Sequence, residues 1–136
     1  MEEAGGRLLR RGSELLERVN GVDARRIFDS LADIAPDVGR WIVEFAYGDV
    51  YARPGLEPRQ RQLVTLGALT ALGGCESQLA AHVNSSLNVG LAPSEIVEAI
   101  VQVVPYAGFP RVLNGIAAAR AVFAERGLLP VVTPEP

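Results

Sequence analysis

The chain has 136 residues, 49% of them hydrophobic and 21% charged, with a formal net charge of −3. That balance suits one compact domain and excludes a disordered chain. The single cysteine, Cys75, excludes a disulfide scaffold, and no apolar run reaches the roughly 18 residues that span a bilayer.

Gly5 to Val19 reads as an amphipathic helix carrying Leu8, Leu9, Leu15, Leu16 and Val19, with Ser13 as a candidate cap and Asn20-Gly21 as the stop. Asp23 opens a short helix through Ile27, Leu31 and Ile34. Pro36 suits the first turn of the next helix, whose apolar positions Val38, Ile42, Val43 and Phe45 lead to an expected end at Gly48. Residues 49–56 read as a connection turning at Pro54-Gly55. Pro58 starts a helix through Leu63, Leu66 and Leu69, broken by Gly73-Gly74, and residues 76–88 form another, closed by Asn88 and Gly90. The β-branched stretch from Pro93 to Val104 invites a strand assignment. Its apolar residues Ile96, Val97, Ile100, Val101 and Val104 instead mark a helical face. Pro105 is expected to end or kink that helix, and Pro110 to Arg126 forms the last one, stopped by Gly127. Residues 1–129 read as a single domain and 130–136 as a mobile, proline-rich tail.

All 13 basic residues are arginine, so the chain has no lysine for Schiff-base chemistry. Six arginines among the first 26 residues are matched by five acids, which argues against a nucleic-acid partner. The opening Met1-Glu2-Glu3 lacks the basic start and apolar core of a secretory signal, and a cytoplasmic location is expected. From Leu63 to Pro110 the only charged residues, with His82 neutral, are Glu76, Glu95 and Glu98. A small monomer cannot enclose so many apolar helical faces, which predicts a homo-oligomer.

The inventory of reactive side chains is short. His82 stands among small and apolar residues, with Gln78 one turn before it and Ser85 and Ser86 one turn after. Two readings compete: a hydrogen-bonded core histidine, or an imidazole that transfers protons near neutral pH. Cys75 precedes His82 by seven positions, about 10 Å along a helix, too far for a thiolate-imidazole pair. Alone it reads as a small buried hydrophobe or a nucleophile. One histidine and one cysteine supply too few soft ligands for a metal site, so no metal is expected. Glu57, Arg59, Arg61 and Gln62 crowd the start of the apolar helix, with Arg53 just before the turn. They form either a solvated helix start or, through a guanidinium fork, a clamp for a carboxylate. Tyr47, Tyr51 and Tyr106 line a cavity or fill core.

Taken in order, Gly48-Asp49-Val50-Tyr51-Ala52-Arg53-Pro54-Gly55-Leu56, Arg59, Arg61, Gln78-Leu79-Ala80-Ala81-His82, Asn88-Val89-Gly90, Pro93-Ser94-Glu95-Ile96, Glu98, Gln102 and Tyr106-Ala107-Gly108-Phe109-Pro110 resemble the carboxymuconolactone decarboxylase family. The resemblance implies an all-α, alkylhydroperoxidase D-like helical bundle, oligomeric and commonly a trimer of dimers, with a pocket near the histidine. It implies loss of carbon dioxide from a small cyclic carboxylated or lactone substrate without metal or organic cofactor. His82 would be the proton donor and Arg53 or Arg61 the anion clamp, with Gln78, Tyr106 and Cys75 also at the substrate. Two departures stand out: Gln78 occupies a position typically Glu, and Arg111 one where small residues are common. These suggest a changed substrate or reaction, an isomerase or ring-opening or ring-forming enzyme on the same scaffold, or a non-catalytic oligomeric ligand-binding protein. In the sister alkylhydroperoxidase branch a Cys-x-x-Cys precedes the histidine; here Gln78 replaces the second cysteine, so an intrachain dithiol cycle cannot close.

Overall fold

The computed structural model describes residues 2–136, and every regular element among them is a helix. The chain divides into two compact units, residues 1–58 and 59–136.

In the first unit α1 (Glu2–Asn20) is one continuous helix. It runs through Ser13, which therefore caps nothing, and the chain turns at Gly21 with φ +57°. A single 3-10 turn (Gly21–Asp23) leads to α2 (Arg26–Leu31), which is shorter than the periodicity suggests and leaves Ile34 in an exposed turn. Proline at the first position starts α3 (Pro36–Trp41), which passes without a break into a π-helical segment, Ile42–Tyr51. The helical path thus runs beyond the expected end at Gly48. That glycine serves the packing of α1 on the π segment: a Cβ on Gly48 would press on the Leu8 carbonyl, and one on Gly12 would overlap the Val43 carbonyl. Where the backbones approach so closely, Arg11 Nε donates to the Gly48 carbonyl at 2.6 Å. Leu15, Leu16, Val19, Ala24, Val43 and Tyr47 fill the core of this unit.

The second unit comprises α4 (Pro58–Leu72, its first residue being the last of the first unit), α5 (Glu76–Asn88), α6 (Pro93–Val101), α7 (Val104–Ala107) and α8 (Phe109–Glu125). Gly73 and Gly74, both at positive φ, break the chain between α4 and α5, as the sequence predicts. Glu95 fixes the start of α6: it accepts the Ala92 N–H at 3.0 Å and pairs with Arg59 of α4 at 3.2 Å. α6 stops at Val101, earlier than expected, and Pro105 lies in the first turn of α7. Pro105 offers no N–H to the carbonyl four residues back, that of Val101, and its ring would collide with it. The proline's effect is therefore felt one turn upstream. Leu66, Leu79, Val83, Ile96, Ile100, Val112 and Phe123 form the core, and Leu128 and Val131 lie against it after the last helix. Among the described residues no helix is long and apolar enough to cross a membrane.

Candidate active site

His82 lies in the middle of α5, half-buried, on a helix whose Leu79 and Val83 are packed in the core. The two serines that follow it satisfy their hydroxyls on helix carbonyls one turn back, so their burial leaves no unpaired polar group. Ser86 Oγ donates to the His82 carbonyl at 2.6 Å and Ser85 Oγ to that of Ala81 at 3.1 Å.

The ring's partner comes from α4. Gln62 is fully buried, and its Oε1 stands 3.0 Å from His82 Nδ1. A neutral amide oxygen accepts and cannot donate, so in this arrangement Nδ1 carries the hydrogen and Nε2 keeps its lone pair. The other end of the same amide, Nε2 of Gln62, is buried with no hydrogen-bond partner. Leaving such a donor unpaired costs about 1–3 kcal/mol. Burial pushes the His82 imidazole below its ordinary value of 6.5, because the charged ring is poorly solvated there. The resting ring at neutral pH is therefore uncharged.

The other residues singled out in the sequence lie as follows. Arg61 is half-buried and adjoins Gln62 on α4. Gln78, one turn before His82 on α5, has an exposed side chain, and the amide on the ring is that of Gln62 and not Gln78. Cys75 sits at the N-cap of α5, half-buried, with its thiol donating to the Leu69 carbonyl at 3.2 Å. Tyr106 on α7 is 82% exposed. Arg53 is exposed in the turn that follows the π segment of the first unit. Arg111, at the start of α8, lies along the α4–α5 turn, where a Cβ on Gly73 would come within 2.9 Å of its Nε. Among the described residues no three His, Cys, Asp or Glu side chains gather as metal ligands would.

An apolar groove of about 760 Å³ runs between α4 and α6, lined by Leu63, Gly67, Ala99 and Val103 together with the polar Glu98 and Gln102. His82 and Arg61 are not among its lining residues.

Gln62 was legible only as part of a polar helix start. The signal that marks it is the stripe Gln62, Leu66, Thr70, spaced four apart and wholly buried, in which two members are polar.

The model of the carboxymuconolactone decarboxylase family matches residues 36–121. The chain is 36% identical over 105 residues to a 4-carboxymuconolactone decarboxylase of Acinetobacter baylyi, covering 77% of this chain and 78% of that one. It is 29% identical over 119 residues to an uncharacterized 15.0 kDa protein in the nqo9-nqo10 intergenic region of Paracoccus denitrificans, covering 87% and 89%. A nitrosuccinic acid decarboxylase of Metarhizium robertsii is 35% identical over 75 residues, covering 55% of this chain and 52% of the other.

Proposed function

Since the chain belongs to the carboxymuconolactone decarboxylase family, we propose that it is a cofactor-independent decarboxylase of a small carboxylated substrate, a cyclic lactone in the first instance, with His82 as the group that handles the proton. The observation that carries this reading is the half-buried His82, the chain's one histidine, held at Nδ1 by the buried Gln62. Decarboxylation breaks the bond between the substrate carbon and its carboxylate. The bond's electron pair stays on the carbon, spread into a neighbouring acceptor, and a proton then completes the product. An imidazole lifted partly out of water suits that last step, since an acid near neutrality gives and takes protons readily. Low-polarity surroundings favour a neutral departing molecule over a bound charge.

The carboxylate needs a cation to orient it, and a guanidinium offers two parallel donors. Arg53 and Arg61 are the two candidates, and Arg61 is favoured because it adjoins Gln62 on the helix that holds the ring. Two relatives named as decarboxylases carry different substrate names, one a carboxylated lactone and the other an acyclic diacid. The shared requirement is a carboxyl group whose departing electrons can be delocalised. Self-association belongs to the same proposal, supported by Val64, Leu72, Phe109 and Leu113, apolar side chains each more than half exposed in the single chain.

His82→Ala, assayed for carbon dioxide release from 4-carboxymuconolactone, tests the assignment. The expected loss in kcat is about 10²–10⁴-fold. Turnover equal to that of the native protein overturns the acid role of His82, and absence of turnover by the native protein on any carboxylactone favours the ligand-binding alternative.

A further inference from the structure

Resting on that reading of His82, we propose that Gln62 is its positioning residue: the buried amide oxygen holds the ring hydrogen on Nδ1 and leaves Nε2 as the nitrogen that exchanges a proton with substrate. Three observations carry this. The contact is of hydrogen-bond length, 3.0 Å, between residues twenty apart in the sequence on two successive helices. Gln62 has no exposed surface, so water does not compete for its oxygen. The amide's other end has no partner, so no second acceptor competes for the amide, and the orientation in which Oε1 faces the ring is the one that sets the hydrogen on Nδ1. The two choices are made together.

The consequence for the reaction is an order of events. With Nδ1–H already engaged, the resting ring is a proton acceptor at Nε2. Nε2 takes up one solvent proton (hydronium giving up its proton and leaving water) as the anionic substrate arrives, giving an imidazolium, and this is the proton that the overall reaction consumes. Carbon dioxide then leaves, the electron pair of the broken carbon–carbon bond passes into the substrate, and the Nε2–H bond breaks as the new carbon–hydrogen bond forms. The ring returns to the neutral Nδ1–H form and no other co-reactant is consumed. An amide suits this cycle because a carboxylate at position 62 would hold the ring charged between turnovers. The ionisable groups on the surrounding helices are Arg59 and Arg61 on α4, Cys75 and Glu76 at the start of α5, Glu95 and Glu98 on α6, and Arg111, Arg120 and Glu125 on α8, with Arg126 at its C-terminal cap. Burial, rather than any of these, sets the direction in which His82 shifts.

A chain with one histidine gives one pair of imidazole nitrogen signals. With 15N-histidine labelling, the native protein at neutral pH is expected to show Nδ1 as the hydrogen-bearing, pyrrole-type nitrogen and Nε2 as the pyridine-type one. Free imidazole side chains favour the opposite form, and Gln62→Leu should return His82 to it. Gln62→Glu should keep the Nδ1–H form and raise the pH at which the ring titrates. A native spectrum with hydrogen on Nε2, or a Gln62→Leu spectrum unchanged from native, overturns the proposal. The native spectrum requires neither a variant that folds nor any substrate. Failure of the decarboxylase reading therefore shows in the assay, and failure of this one shows in the spectrum.

Discussion

Gln62 Oε1 and His82 Nδ1 meet at 3.0 Å across twenty residues of sequence, which makes the proton affinity of a residue on α5 depend on the side chain chosen on α4. Burial pushes the ring below 6.5, and an uncharged amide does nothing to pull it back. If delivery of the Nε2 proton limits the rate, kcat/KM is highest in acid and falls as the pH rises through a value below 6.5. Gln62→Glu places an anion on the ring and should move that midpoint upward by about 1–2 units. A pH profile from about pH 5 to about pH 8 reads both outcomes. A profile that is flat in both proteins removes His82 titration from the rate-limiting step.

The same shift bears on folding. The unfolded ring titrates near 6.5 and the folded one lower, so between those two values the unfolded chain binds more protons. Stability is then full above the unfolded value and is lost as the pH falls through the folded one. Replacing His82 with Gln removes this component. The difference in urea midpoint between about pH 7 and about pH 5 should therefore be larger for the native chain than for the variant.

Gly12 is the sharpest packing constraint in the first unit. A methyl group there would occupy the space of the Val43 carbonyl, a backbone atom on the π segment that cannot step aside as a side-chain tip can. Gly12→Ala adds helix propensity to α1, worth about 1 kcal/mol, but forces α1 away from its partner at a cost of about 1–3 kcal/mol or more. Net destabilisation, seen as a lower urea midpoint, is expected. A raised midpoint would mean that α1 does not pack as described.

These cases show what local sequence pattern can and cannot carry. Proline at the first position and glycine past the end are local signals, and they place α4, α5 and α8 closely. The π segment is hidden because its apolar residues look like those of an α-helix, and Gly48 looks like a stop when it is an approach point for the Leu8 carbonyl. The end of α6 is displaced from Pro105 to Val101 because a proline acts on the carbonyl one turn before it. At the site, His82 stands out as a lone imidazole on an apolar helix, whereas its partner does not. Gln62 adjoins Arg61 in a run of polar residues, and only the three-dimensional path of α4 shows that it points inward with Leu66.

Cys75 is the residue most open to misassignment. Its thiol donates to the Leu69 carbonyl, and it is the one cysteine of the chain. A serine can make the same hydrogen bond, so Cys75→Ser should cost about 1 kcal/mol or less and leave decarboxylation within about twofold. No thiol-dependent peroxide reduction by an intrachain cycle is expected, because the resolving thiol has no counterpart here. Peroxide turnover in the native protein that disappears in Cys75→Ser would place the chain in the redox branch instead.

The arginines separate by where they sit. Arg61 is half-buried beside Gln62, whereas Arg53 is exposed in the turn after the π segment. A guanidinium that holds a carboxylate through charged hydrogen bonds contributes about 1.5–3 kcal/mol, so its removal raises KM by about 10–150-fold. Arg61→Ala is expected to show that rise, with partial recovery in Arg61→Lys, which keeps the charge but loses the fork. Arg53→Ala should change KM by less than about threefold, the scale of an exposed charge acting through solvent. Steady-state kinetics on one carboxylated substrate decide between them: a large KM increase confined to Arg53→Ala moves the clamp to the turn, and unchanged KM in both variants means that the carboxylate is held by other groups.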